Sequence, residues 1–311
     1  TATTEIYNLS LHDALPISQN PKDSQTPDFY FSAAVIREGV FQYSSALSSY
    51  QKYLDKSGRK DRWEALYLMA GIWEKRGKLP KAAELYEKYI MSPSQNFAGI
   101  VEAIHKVASL NEKMGRTSKA NEWYTKTIRV QKRFKARGND VGVRFAADAQ
   151  FKLIYKTYEE LRAIKLPSPK SLKDQRQVLA FNKKLQKIEQ LQKELKTVVS
   201  YDDADTIVAA LTLQGQAFHD LSAALANADL PPGLNNDQKK MIRDGLNEQA
   251  KKNADLAFGF YENALTKSYS LHAYNIWTKT ARLGANQLDK TKYIDYGFEI
   301  FSSQQVDTLG L

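Results

Sequence analysis

Small and aromatic residues recur at the same fixed spacings in three stretches of the chain. In the clearest stretch, Ala70 is followed by Gly77, Ala82, Tyr86 and Tyr89 at steps of seven, five, four and three residues. The same steps connect two further sets: Ala108, Gly115, Ala120, Tyr124 and Thr127, and Ala34, Phe41, Ala46, Tyr50 and Tyr53. Steps of three and four residues place side chains on one face of an α-helix. The pattern predicts repeated pairs of helices with periods of 36 and 38 residues.

The residue types suit such helix pairs. The two alanines of each set are small because two antiparallel helices must approach closely there. Gly77 and Gly115 fall between the helices, where a turn with positive φ is made most easily by glycine. Phe41 stands at this position in the first repeat. Tyr86 and Tyr124 follow the second alanine by four residues, so we expect them to cover the contact with the next helix pair.

This order of small residue, glycine, alanine and aromatic residue resembles the tetratricopeptide repeat. The resemblance implies an all-α fold, a right-handed α-solenoid of helical hairpins. It also implies a non-catalytic scaffold or adaptor that binds peptide-like segments of partner proteins in a multiprotein assembly. The alternative is an ordinary helical bundle with accidental spacing, which the agreement of three stretches disfavours.

Hydrophobic periodicity predicts further helices downstream. One runs from Ala147 to Ile164 and is ended by prolines, and a long basic helix follows from Leu172 to Val199, with apolar residues near heptad spacing. That stripe could form a coiled-coil dimer, but an intramolecular hairpin with a helix that begins near Ala204 explains it equally. We favour the hairpin. Asp202 or Asp203 is expected to start the second helix, which reaches Asn227.

The last third of the chain repeats the earlier rhythm in part. Ala257, Tyr261 and Ala264 keep the steps of four and three, and Trp277 with Ala281 resembles the start of another unit. This half, with its LPPGL loop, also resembles large envelope-associated tetratricopeptide proteins of predatory and gliding Gram-negative bacteria. That resemblance implies a place in the periplasm or cell envelope, while the residues themselves do not indicate a compartment.

The sequence predicts five segments. Residues 1–18 resemble a translated sequencing adapter, most clearly from Leu9 to Ile17, so we expect the authentic chain to begin near Gln19. A linker at 19–27 precedes an N-terminal repeat array at 28–165. The long basic amphipathic helix occupies 166–200, and C-terminal helical hairpins fill 201–311.

One face of the predicted first helices is a candidate groove for a partner. Positions three before, one after and four after the first alanine of each repeat carry an aromatic, a small and an acidic residue in turn. The nine residues are Phe31, Val35, Glu38, Tyr67, Gly71, Glu74, His105, Ser109 and Glu112. Their rings would anchor apolar side chains of a partner segment and their carboxylates would hold basic ones. The competing interpretation is that the glutamates are solvated helix ends.

Charge adds an alternative function. The chain has a formal net charge of +10, and six basic residues crowd the end of the third repeat: Lys126, Arg129, Lys132, Arg133, Lys135 and Arg137. Such a patch could dock to an anionic membrane or to nucleic acid. No recognised nucleic-acid module accompanies the charge, so a basic solvated face is the simpler interpretation.

The sequence contains no recognised catalytic or metal-binding motif. The chain has no cysteine, which excludes disulfides, thiolate metal sites and cysteine nucleophiles. No motif for a metalloprotease, a serine hydrolase or a phosphate-binding loop is present, and no histidines lie at metal-ligand spacing. We therefore expect no enzyme activity, no cofactor, no metal and no small-molecule substrate, and we expect the partners to be other proteins.

Overall fold

The computed structural model describes residues 26–57, 62–91, 93 and 96–293. The adapter-like segment at 1–18 and most of the predicted linker lie outside these residues. The described part of the chain consists of α-helices and their connecting turns, with no β-strand in it. The chain divides into two compact units, residues 1–145 and residues 146–311. The predicted all-α architecture of helical hairpins is confirmed.

The described part of unit 1 contains three helix pairs. Their bounds are α1 Thr26–Gly39 and α2 Tyr43–Lys56, α3 Arg62–Lys75 and α4 Leu79–Ile90, α5 Phe97–Lys113 and α6 Thr117–Lys135. The two helices of each pair pack on one another along their lengths, and α2 and α4 also contact the first helix of the next pair. These pairs match the three predicted repeats.

The repeated positions form the core of unit 1. The first alanines Ala34, Ala70 and Ala108 are fully buried, as are Tyr50 and Tyr86. Tyr86 shares a hydrophobic cluster with residues of both its own hairpin and the next one. Small residues at the helix contact and tyrosines between hairpins therefore have the packing roles that the spacing predicted.

The turn within each hairpin has one geometry. Gly77 and Gly115 have φ of 69° and 71°, and Phe41 in the first repeat has φ of 61°. In each turn the residue after the positive-φ position donates its amide to a carbonyl five residues back, for example Lys78 to Trp73 at 2.9 Å. This bond caps the helix C-terminus. Phe41 adopts a conformation that costs a non-glycine residue roughly 1–2 kcal/mol, and the residue is 72% exposed.

Five helices occur in the part of unit 2 that the structure describes, and the first of them begins at the end of unit 1. They are α7 Val143–Ala163, α8 Arg176–Val199, α9 Ala204–Ala226, α10 Asn236–Ser270 and α11 Ile276–Leu288. Most of α7 lies in unit 2. The N-terminal array at 28–165 stays a prediction. One cluster of buried residues, mostly from α7, α8 and α9, forms the main core.

The long basic helix packs within the chain as a hairpin. Ile188, Leu191 and Leu195 of α8 are buried in the same cluster as Leu213 and Leu221 of α9. The helix begins at Arg176, four residues later than expected, and Asp203 caps α9 through the Thr206 amide at 3.1 Å. The predicted hairpin is confirmed. The buried apolar face of α8 does not include Val178, the first residue of the predicted heptad pattern, which is 58% exposed.

A tyrosine in unit 2 packs closely against two glycines. A methyl group on Gly215 of α9 would lie 2.6 Å from the Tyr261 ring, and one on Gly284 of α11 would lie 2.4 Å from it. Tyr261 on α10 is fully buried between these helices. The ring therefore occupies the space that the missing side chains of both glycines leave open. The steps from Ala257 to Ala264 predicted the buried face of α10, but not its full length of 35 residues.

Candidate partner-binding cleft

The aromatic position of the predicted groove packs inward in all three repeats. Each ring contacts aromatic residues of the second helix in its own hairpin or of the segment that follows. The centroid distances are 5.7 and 5.1 Å from Phe31 to Tyr50 and Tyr53, 5.3 and 5.0 Å from Tyr67 to Tyr86 and Tyr89, and 5.5 Å from His105 to both Tyr124 and Phe145. The rings are half-buried, so each supports the core and still presents an edge to the surface.

The acidic position of the predicted groove has a structural contact in every repeat. The hydroxyl of a buried tyrosine donates a hydrogen bond to the glutamate twelve residues before it. The bonds are Tyr50 to Glu38 at 3.2 Å, Tyr86 to Glu74 at 3.4 Å and Tyr124 to Glu112 at 2.8 Å. Each glutamate therefore provides a hydrogen-bond acceptor for the hydroxyl of a buried tyrosine.

Lysines of the following repeat contact two of the same carboxylates. Lys75 lies 3.4 Å from Glu38, and Lys113 lies 3.5 Å from Glu74, which also has Lys106 at 3.2 Å. Because each lysine belongs to the next hairpin, these ion pairs link neighbouring repeats. The glutamates of the predicted groove thus help to hold the hairpins together, a role that the sequence analysis did not assign to them.

The buried tyrosines make the protein sensitive to alkaline pH. Burial, together with a nearby carboxylate in each case, raises the pKa of five tyrosines well above the ordinary value: Tyr50, Tyr67, Tyr86, Tyr158 and Tyr261. The unfolded chain loses these protons near pH 10 while the folded chain keeps them. The contribution of these tyrosines to the free energy of unfolding is therefore fully present below about pH 10, and it decreases as the pH rises further.

We expect the urea midpoint, followed by circular dichroism, to decrease steadily above about pH 9.5. The slope should be smaller in Tyr86→Phe, which cannot ionise at that position. Ultraviolet absorbance should show a group of tyrosines that ionise only when the helices unfold. Ionisation of every tyrosine in one step near pH 10, with the helices intact, would contradict this expectation.

A large cleft opens between the first helices of unit 1. Its volume is about 1190 Å³, and it runs across all three hairpins from α1 to the start of α5. The described residues that line it are Asp28, Phe31, Ser32, Tyr53, Trp63, Glu64, Tyr67, Leu68, Tyr89, Pro93, Asn96, Ala98, Gly99 and Glu102. Small-molecule pockets are usually about 300–1,000 Å³. The cleft is therefore large enough for an extended segment of another protein.

The cleft contains two of the nine residues predicted for the groove. Phe31 and Tyr67 line it, whereas the other seven do not. Among those, Val35 is 44% exposed, and Gly71 and Ser109 are half-buried. That the nine residues together form a binding surface stays a prediction.

Sequence reasoning missed a second acidic position that does line the cleft. Asp28, Glu64 and Glu102 each precede the first alanine of their repeat by six residues. They recur with the same periods of 36 and 38 residues as the alanines. The signal was present in the spacing, but the sequence does not show how far each helix is rotated towards the cleft.

Close packing shapes the end of the cleft nearest α5. A methyl group on Gly99 would lie 2.6 Å from the hydroxyl oxygen of Tyr89, so glycine lets that ring reach the α5 backbone. Asn96 accepts a hydrogen bond from the Gly99 amide at 2.9 Å and caps α5. The N-terminus of α5, which the Asn96 cap stabilises, therefore forms the wall at this end of the cleft.

Solved structures of helical repeat proteins are similar to this chain. One is a TPR repeats protein from Bacteroides fragilis, with 16% identity over 85% of this chain and 98% of that chain, at a TM-score of 0.40. A second is YrrB, described as a TPR protein with an unusual peptide-binding site, with 13% identity over 84% and 97% and a TM-score of 0.40. A third is the C-terminal part of a TPR repeat-containing protein from Cytophaga hutchinsonii, with 12% identity over 100% and 96% and a TM-score of 0.43. No family model and no curated protein matches the chain.

The predicted basic patch lies along the second half of α6 and just beyond it. Five of its six residues are exposed, and Lys126 instead packs over the Trp123 ring at 4.0 Å, where burial lowers the pKa of its ammonium group. Lys135 forms an ion pair with Asp140 at 2.9 Å. Basic residues in the last turn of a helix also stabilise its C-terminus, which explains part of this cluster without a ligand.

Unit 2 has a smaller polar recess of about 250 Å³ between α7, α9, α10 and α11. Asp220 accepts a hydrogen bond from Tyr158 at 3.1 Å and lies 3.5 Å from Arg162. His219 is 3.4 Å from the Tyr261 hydroxyl, and burial lowers the pKa of its imidazole. Asp220 and His219 thus each have a polar partner within the chain, whereas the Gln216 Oε1 atom in the same recess is buried without one in the described part of the chain. Within residues 26–293, leaving out the gaps, no group of three or more metal-ligand side chains occurs and no helix is long and apolar enough to span a membrane.

Proposed function

We propose that this protein is a non-catalytic scaffold that binds a peptide-like segment of a partner protein in the cleft of unit 1. The cleft carries the proposal: a continuous concave surface of about 1190 Å³, with aromatic and acidic side chains renewed in successive hairpins. Repeat proteins that stack helix pairs characteristically use such surfaces for binding.

The walls of the cleft favour a preformed site. The Phe31 and Tyr67 rings are held against tyrosines of the second helices at centroid distances between 5.0 and 5.7 Å. Side chains that are fixed before binding lose little conformational entropy when a partner docks. Aromatic residues in a partly buried setting are also the usual anchors of protein interfaces.

The partner would belong to a larger assembly, because a scaffold acts by bringing proteins together. A setting in the cell envelope is part of the proposal and is supported only by the resemblance of the C-terminal half to envelope-associated repeat proteins. The proposal requires binding alone, with no reaction at the cleft.

Blocking the cleft without removing core contacts tests the proposal. Ser32 and Ala98 are exposed and line the cleft, so Ser32→Trp and Ala98→Trp fill it while the packed rings stay in place. A phage-displayed library of random dodecapeptides would first select ligands for the unaltered protein. We expect each blocked variant to bind the selected peptides at least about tenfold more weakly, a loss of about 1.4 kcal/mol.

Ser48→Trp is the matched control, because Ser48 is exposed on α2 and does not line the cleft. This variant should bind the selected peptides as the unaltered protein does. If the library yields no ligand, or if the peptides bind the blocked variants with unchanged affinity, the cleft is not the binding site.

A further inference from the structure

We propose that the cleft of unit 1 is selective for cationic segments, and that lysine or arginine side chains of the partner bind at Asp28, Glu64 and Glu102. This inference rests on the proposed function and adds the chemical class of the partner. It assigns the recognition of charge to a position that differs from the acidic position of the predicted groove.

The charge of the lining is opposite to that of the chain. The chain carries 45 basic and 35 acidic residues, yet the described lining contains three carboxylates and no lysine or arginine. A concave surface with one sign of charge focuses the electrostatic potential and attracts ligands of the other sign.

The carboxylates of the cleft differ from those outside it in their contacts. Glu38 and Glu74 are paired with lysines of the next repeat. In contrast, Asp28 and Glu64 are exposed and form no ion pair with any residue that the structure describes. Their charge is therefore open to neutralisation by a partner.

Helix stability explains only part of this acidic position. Asp28 and Glu64 lie in the first turns of α1 and α3, where a carboxylate interacts favourably with the helix dipole. Glu102 lies in the second turn of α5, beyond the reach of that effect. Together with burial, its carboxylate instead raises the pKa of the Tyr67 hydroxyl in the preceding repeat. This interaction places one carboxylate near an aromatic ring of the cleft.

This pairing of ring and carboxylate suits a long cationic side chain. Phe31 and Tyr67 line the cleft three residues after Asp28 and Glu64, one turn along the same helices. A lysine or arginine can lay its methylene stem and charged group over the ring while it approaches the carboxylate. Because the arrangement recurs in successive hairpins, an extended segment can present one basic side chain to each repeat.

Three labelled dodecapeptides test the charge directly in fluorescence anisotropy with the full chain. One alternates lysine with leucine, the second replaces each lysine by glutamate, and the third carries acetylated lysines. We expect binding of the first peptide only, with affinity that decreases steeply as salt is added. The triple variant Asp28→Asn, Glu64→Gln and Glu102→Gln should bind it about tenfold more weakly, since one exposed charge pair contributes a factor of roughly 1.4 to 5.

The control is a triple variant with the same change in net charge: Glu84→Gln, Glu87→Gln and Glu122→Gln. These three glutamates are exposed on α4 and α6 and do not line the cleft. This variant should bind the lysine peptide within about twofold of the unaltered protein. An equal loss of affinity in both triple variants would show that overall charge, not the cleft, governs binding, and would overturn the inference.

The outcomes separate this inference from the proposed function. If all three peptides bind equally and Ser32→Trp abolishes that binding, the cleft is a partner site without charge selectivity, and only the inference fails. If no peptide binds, or if Ser32→Trp leaves binding of the lysine peptide unchanged, both fail.

Discussion

Gly284→Ala is expected to lower the free energy of unfolding by about 2 kcal/mol, as overpacking of a tight core usually costs roughly 1–3 kcal/mol. The added methyl group would lie 2.4 Å from the Tyr261 ring. That ring has little room to move away, because the Gly215 backbone also packs against it, and a methyl group on Gly215 would lie only 2.6 Å from the ring. In an exposed helix the same substitution would stabilise by about 1 kcal/mol, so the prediction reverses the sign that helix propensity alone would give.

Gly259→Ala provides the comparison. Gly259 lies in the second half of α10, and a methyl group there would have no neighbour within 4 Å. We expect this variant to be more stable than the unaltered protein by about 0.5–1 kcal/mol. Urea denaturation followed by circular dichroism measures both changes. Similar shifts in the two variants would mean that Tyr261 does not fill the space beside Gly284.

Ala108→Leu is expected to destabilise the protein by about 2 kcal/mol through overpacking at the helix contact of the third hairpin. Ala108 is fully buried, and Ala70 and Ala34 occupy the same position in the other hairpins. The larger side chain on α5 would push the helices apart, and a packed interior has few voids to receive it.

Ala98→Leu adds the same side chain to the same helix at an exposed position. We expect its urea midpoint to stay within the equivalent of about 0.5 kcal/mol of the unaltered protein, as is usual for surface substitutions. If Ala108→Leu is tolerated equally well, the recurring alanines do not mark close helix contacts, and the three-repeat interpretation of the spacing loses its physical basis.

The repeat spacing predicted most of unit 1 because packing leaves a regular trace in the sequence. Small residues are needed wherever two helices meet, and the hairpins repeat that contact with periods of 36 and 38 residues. The turns were predicted for the same reason at Gly77 and Gly115. Phe41 is an exception to the glycine rule. The first turn has the same positive φ without glycine, and the Phe41 side chain is exposed.

The binding surface was harder to predict. Counting along a helix finds positions that share a face, but it does not determine how that face is rotated towards its neighbours. The spacing predicts Glu38, Glu74 and Glu112 as partner ligands, which stays a prediction. It does not reveal that each of them accepts a hydrogen bond from a tyrosine hydroxyl. The carboxylates that line the cleft lie ten residues earlier in each repeat.

Unit 2 gave a weaker signal because its helices are longer and its repeat rhythm is incomplete. The spacing around Tyr261 indicated a buried helix face, yet α10 extends from Asn236 to Ser270. Its start is set by a capping box at Asn235, which accepts from the Gln238 amide at 2.8 Å, just after the positive-φ turn at Gly233. Local caps of this kind determine where a helix begins but not how far it runs.

Photo-cross-linking tests the binding cleft most directly. The lysine–leucine dodecapeptide would carry one benzophenone group at its centre, and mass spectrometry would locate the residues to which it becomes attached. We predict attachment to the lining of the cleft in unit 1, at residues such as Phe31, Leu68 or Ala98, and its loss in Ser32→Trp. Attachment concentrated in unit 2, or at the basic residues of α6, would contradict the proposed function.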